Sequence, residues 1–108
     1  MITAINNLTK TSFIDAAIGI HDSAVESYAA GDLKKAESLF LRSLRLFEQH
    51  DAPDSPDIAA VLNNLAAVYE DRCEYKRAER LFERSVRVLE KITTDDRDVQ
   101  NLFIESLC

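Results

Sequence analysis

"YKRAERLF", residues 75–82, stands forty-two positions after "LKKAESLF", residues 33–40, and the likeness runs on through "ERSVRVLEK" and "LRSLRLFEQ". Between Asp32 and Glu48, nine of seventeen positions are identical at this offset: Lys34, Ala36, Glu37, Leu39, Phe40, Arg42, Ser43, Arg45 and Glu48. A period of about 20 to 50 residues marks units that stack side by side, because one unit alone cannot bury its apolar face.

Working outward, the unit reads as a pair of helices. Phe13, Ala17, Ile20, Ala24 and Tyr28 recur at spacings of three and four, one buried stripe of a first helix that Gly31 ends. Asp32 is the expected N-cap of a second helix with Leu33, Ala36, Phe40, Ser43 and Phe47 turned inward. The next copy has Leu62, Leu65, Ala66 and Tyr69, then Tyr75, Ala78, Phe82, Ser85 and Leu89, with Cys73 in the place of Gly31. Between the copies, Ser55 and Pro56 read as an N-cap and first helical residue. Asp96 takes the place of Ser55 forty-one positions later, so a last helix is expected over about Arg97 to Leu107, covering the second pair. The expected organisation is an N-terminal segment 1–11, repeats 12–50 and 51–92, and a capping helix within 93–108. Ala36 and Ala78 stand where the helices of a pair cross closely, and a larger side chain there costs about 1–3 kcal/mol.

At 108 residues the chain has the size of one domain with a thin core. With 46% hydrophobic and 30% charged residues and two Gly and two Pro, a soluble helical protein is expected rather than a disordered or all-β one. A net charge of −6 opposes general affinity for nucleic acid or an anionic membrane. The N-terminus has no basic cluster, and Asp15 and His21 interrupt the apolar stretch before it reaches spanning length, so a cytoplasmic location is expected. Cys73 and Cys108 form neither a disulfide framework nor a metal spacing.

The stretch "LNNLAAVYEDRCEYKRAERLFERSVRVLEK", preceded by "DSPDIAAV", resembles the tetratricopeptide repeat in its forty-two-residue form, the version found in kinesin light chains and many bacterial relatives. Leu62, Leu65, Ala66, Tyr69, Ala78 and Phe82 match the motif, and Ser85 takes the place of the usual small Ala. The first copy keeps Ile20, Ala24, Gly31, Ala36, Phe40 and Ser43, with Ser23 and Ser27 where a large apolar residue and Tyr are usual. The resemblance implies an all-α, right-handed stack of antiparallel helix pairs. Its first helices would line a concave groove that binds a peptide or partner protein, without catalysis from the repeat itself.

On that implication the groove face comprises Ile18, His21, Asp22, Val25 and Tyr28 of the first copy and Asn63, Asn64, Ala67 and Glu70 of the second, with Ile14, Ala60 and Asp71 beside them. An amide supplies both donor and acceptor, so Asn64 can hold an extended backbone without reading its sequence, and it is similar to the family's backbone-holding residue. His21 and Tyr28 offer a polar tip and an aromatic anchor. The basic residues with which chaperone-binding members grip a terminal carboxylate are absent. Arg42, Arg45, Arg84 and Arg87 are read as solvated residues in local ion pairs with Glu37, Glu48, Glu79, Glu83 and Glu90, rather than as a nucleic-acid patch. Two separate histidines, two separate cysteines and no glycine-rich loop give no catalytic, metal or cofactor arrangement.

The resulting expectation is a protein–protein interaction module, the alternative being a self-associating assembly protein. Leu41 stands where the second copy has Glu83, and Leu44, Leu46 and Phe47 leave that helix apolar beyond one stripe. Cover is therefore expected at the N-terminal end, either from Ile2, Ile5 and Leu8 folding back or, preferentially, from a second chain in a symmetric homodimer.

Overall fold

The computed structural model of the chain describes residues 2–51 and 55–95, with side chains described over 12–51 and 55–92. Four helices follow one another: α1 (Ile2–Ala29), α2 (Leu33–His50), α3 (Pro56–Asp71) and α4 (Tyr75–Asp95). No strand occurs among the described residues. α1 packs along α2 and α3 along α4; α2 then packs on α3, and α1 touches α3 more lightly. This is the all-α architecture of two repeated helix pairs.

Local chemistry sets the helix ends. The Asp32 carboxylate accepts the Lys35 backbone N–H at 3.2 Å, and Ser55 Oγ accepts that of Asp57 at 3.1 Å, with Pro56 next in the chain. Such caps contribute about 1 kcal/mol each by satisfying donors that the helix leaves unpaired. Both inter-helix turns close alike. Gly31 has φ 84° and Cys73 φ 62°. The Asp32 N–H reaches back to Ser27 O at 2.9 Å, and the Glu74 N–H to Tyr69 O at 2.8 Å. The left-handed residue that this closure needs is natural for Gly and costs a residue with a Cβ about 1 kcal/mol.

Inside each pair the small residues do what their repetition implies. Ala17, Ala24, Ala36, Ala59, Ala66 and Ala78 are all buried, letting the helix backbones approach. That approach brings Ser43 Oγ within 2.8 Å of Ala17 O, to which it donates, and Ser85 Oγ within 3.2 Å of Ala59 O. The two bonds are the same bond forty-two residues apart, a cross-helix tie that the motif's usual Ala cannot make.

The stripes differ from expectation in places. Phe13 is exposed rather than buried, and its ring stacks on His50 with centroids 4.0 Å apart, because α2 ends there and offers no apolar partner further on. Tyr75 is 62% exposed and Leu89 is exposed, while Val88 is buried. Among the described residues α4 packs chiefly along α3, and its buried stripe runs through Ala78, Ser85 and Val88. The surplus apolar residues of α2 also face elsewhere than expected. Leu44 and Phe47 are buried within this chain, and Leu41 and Leu44 border a cleft with Leu65, Tyr69 and Leu81 of the second pair. Leu44 and Phe47 are thus covered by this chain itself, while Leu41 at the edge of the cleft is exposed. α1 already begins at Ile2, so residues 2–11 continue the first helix instead of standing apart from it. The side chains of Ile2, Ile5 and Leu8, and the helix expected over 97–107, lie outside the described residues.

Candidate functional site

The first helices α1 and α3 lie side by side, and the face they share carries the residues singled out above. Two polar links cross it. Asn64 Nδ2 donates to His21 Nε2 at 2.8 Å, and the Tyr28 hydroxyl donates to Asp71 Oδ2 at 2.6 Å. Both join residues forty-three apart, one repeat plus one position. The first requires Nε2 of a neutral His21 to act as acceptor in this amide placement. It uses one of the two Asn64 Nδ2 N–H donors and leaves its Oδ1 as an acceptor. The Tyr28–Asp71 bond favours the protonated phenol, and with some help from burial it raises the Tyr28 pKa above its ordinary value.

Around these links, Ile18 and Val25 are exposed on α1, one above the other by two helical turns. Asp22, Asn63 and Glu70 are exposed, and His21, Tyr28, Asn64 and Ala67 are half-buried. The nine expected residues thus divide. His21, Tyr28 and Asn64 are built into a bridge between the helices, Ala67 is half-buried without a part in it, and Ile18, Asp22, Val25, Asn63 and Glu70 are open to solvent. The face pairs an apolar ridge with the carboxylates Asp22, Glu70 and Asp71 and carries no Lys or Arg.

Behind this face a second cluster joins the repeats, and it was not foreseen. Arg72, just past the end of α3, binds Glu37 of α2 at 2.9 Å, and Arg84 of α4 pairs with Glu48 of α2. Both carboxylates were expected to serve ion pairs within their own helix; they serve pairs between repeats. Burial acts to raise the Glu37 pKa, but hydrogen bonds with Tyr69 and Arg72 and the charges of Arg72 and Arg77 outweigh it, and the carboxyl titrates below its ordinary value. The Tyr69 phenol is pushed up to about 12, by burial first and then by Glu37. The Arg77 guanidinium sits 5.5 Å from the centre of the Tyr69 ring. Partners 35 and 36 residues apart have no signature in helical periodicity, and only the stacking of the pairs brings them together.

Among the described residues no group of three or more His, Cys, Asp or Glu is placed to hold a metal ion. No described helix is long and apolar enough to cross a membrane. A family model described as tetratricopeptide repeat matches residues 15–91. No curated protein matches the chain.

Proposed function

The chain belongs to the tetratricopeptide repeat family, whose repeats serve protein–protein interaction, and from that premise we propose that the α1–α3 face holds an extended peptide of a partner protein. Binding occurs without chemistry, through repeats taken as residues 12–50 and 51–92. The observation that supports this reading is the His21–Asn64 link, which leaves Asn64 Oδ1 as an acceptor beside the exposed Asn63, Ile18 and Val25. A peptide N–H meets that acceptor, the Asn63 amide takes a second backbone group, and the apolar ridge covers one side chain of the peptide. The surrounding carboxylates and the absence of Lys and Arg favour an uncharged or basic peptide and disfavour one ending in acidic residues.

The experiment is a positional-scanning library of extended peptides titrated against the full chain. Enrichment of Lys or Arg next to an apolar residue is expected. Asn64→Ala should weaken the selected peptide by about 1–3 kcal/mol, since a buried backbone group would lose its partner, while the helical circular dichroism stays unchanged. Binding indifferent to Asn63→Ala, Asn64→Ala and Ile18→Ser together would move the binding surface elsewhere.

A further inference from the structure

Among the described residues α2 and α4 each pack on a first helix but make no close backbone approach to one another, and a furrow of about 340 Å³ opens between them. Leu65 and Tyr69 of α3, both buried, form its floor. They leave α3 on the side opposite Asn63 and Ala67, so the furrow lies behind the α1–α3 face. α2 supplies Leu41 and Leu44 as one wall. α4 supplies Leu81 and, at spacings of three and four, Arg77, Arg80 and Arg84, three cations on one helix face.

The fold accounts for most of these groups. Leu44 belongs to the core, Arg84 pairs with Glu48, and Arg77 stands 3.8 Å from Glu74 and 5.5 Å from the centre of the Tyr69 ring. Two groups on facing walls are left over. Leu41 is 37% exposed, and Arg80 is exposed with no hydrogen bond or ion pair to a described residue. Neither is demanded by the repeated packing, because forty-two residues away the other copy has Glu83 in the place of Leu41 and Ser38 in the place of Arg80. No carboxylate lines the furrow, although the chain carries a net charge of −6 and its opposite face presents Asp22, Glu70 and Asp71.

We propose that the furrow is a second docking surface, which takes an amphipathic helix of a partner protein with leucine-like side chains on one stripe and Asp or Glu along its flank. Charge complementarity selects that partner, since a basic helix would meet three like charges. Arg77 and Arg84 stand two turns apart, so a helix laid along α4 brings carboxylates three or four residues apart into the same rise while its apolar stripe enters between Leu41 and Leu81. A flat anionic lipid surface would reach the arginines but not the buried Leu65 and Tyr69 below them. The proposal is independent of the peptide-binding reading, which concerns the other side of α3.

Fluorescence anisotropy of a labelled helical peptide, with Leu at every third and fourth position and Glu beside that stripe, tests it on the full chain. Saturable binding that weakens as salt rises is expected, and none by the same peptide with Lys for each Glu. Arg80→Glu and Leu41→Glu should each lower the affinity about tenfold or more. Both positions are exposed, and Glu already stands at the second on α4, so the helical circular dichroism should persist. Arg87→Glu, the same change of charge outside the furrow, should leave the affinity nearly unchanged. No binding of the Glu peptide would overturn the proposal, as would equal binding of both peptides, indifference to Arg80→Glu and Leu41→Glu, or equal weakening by Arg80→Glu and Arg87→Glu. Binding to phosphatidylserine vesicles but not to the peptide would overturn it in favour of a lipid surface. Self-association in sedimentation that Arg80→Glu abolishes would overturn it in favour of a second copy.

Discussion

α2 and α4 carry nearly the same residues and bury them differently. Ala36 and Ala78, and Ser43 and Ser85, are buried in both helices. Phe40, Leu44 and Phe47 are buried on α2, whereas Phe82 is half-buried and Val86 and Leu89 are exposed on α4. The comparison sorts the motif into two functions. Ala and Ser hold a pair together and are needed wherever a pair exists. The larger apolar positions join one pair to the next and are buried only where a next pair is present.

The sharpest way to break that division is to truncate the joining residues. Phe40→Ala should cost about 3–5 kcal/mol, the usual penalty for a cavity in a close-packed core. Phe82→Ala should cost clearly less, since part of its ring already meets solvent. Urea unfolding of the two variants measures the difference, and equal losses would mean that α4 is covered as fully as α2. The holding residues should behave in the opposite way. Ser43→Ala and Ser85→Ala each remove one cross-helix hydrogen bond and should cost the same amount, about 1 kcal/mol. A large inequality between them would show that the two ties are not equivalent.

The same division explains how far the residues could be read in advance. Within a pair, partners are close in sequence and follow the helical period, so Ala36, Ala78, the Asp32 and Ser55 caps and the Gly31 turn were all evident from spacing. The period shows that a stripe exists but not which flank a neighbour covers. For that reason the stripe alone puts Phe13, Tyr75 and Leu89 inside, where the structure exposes them, and does not show that Leu44 and Phe47 are covered within the chain. In the candidate site the choice of face rests on family likeness. The His21–Asn64 and Tyr28–Asp71 links were not legible, because they depend on the rotation and rise of α3 relative to α1.

A third comparison is between the turns. Gly31 and Cys73 adopt the same left-handed conformation, but only Gly does so without steric cost. Cys73→Gly should therefore stabilise the fold, and Gly31→Ala destabilise it, each by about 1 kcal/mol. For a domain of this size that is a shift of several degrees in melting temperature. A neutral Cys73→Gly would mean that the contact of the Cys73 sulfur with the Tyr75 hydroxyl, at 3.6 Å, offsets the strain.

The smallest effects should separate the two ion pairs that stitch α2 to the second repeat. Arg84 and Glu48 are both well exposed, so Arg84→Ala should change stability by less than about 1 kcal/mol at any pH. Glu37 is more enclosed and holds both Arg72 and the Tyr69 hydroxyl, so its link should be visible as a pH dependence. Its folded pKa lies below the unfolded one, so the stability it contributes is present above the unfolded value and is lost as pH falls through the lowered folded value. Tyr69 has the opposite sign. Its folded pKa, raised from 10.0 to about 12, gives stability that is complete below pH 10.0 and disappears as pH rises through about 12. Glu37→Gln should flatten this carboxyl's share of the acid limb and bring the Tyr69 phenol closer to its ordinary value. Arg72→Ala should weaken the acid limb and leave Tyr69 raised, because burial is the larger cause of its shift. Urea unfolding across pH, with the phenol followed by ultraviolet absorbance, measures both limbs. An acid limb unchanged in Glu37→Gln would show that the seam is held by Leu44, Phe47 and their apolar neighbours alone.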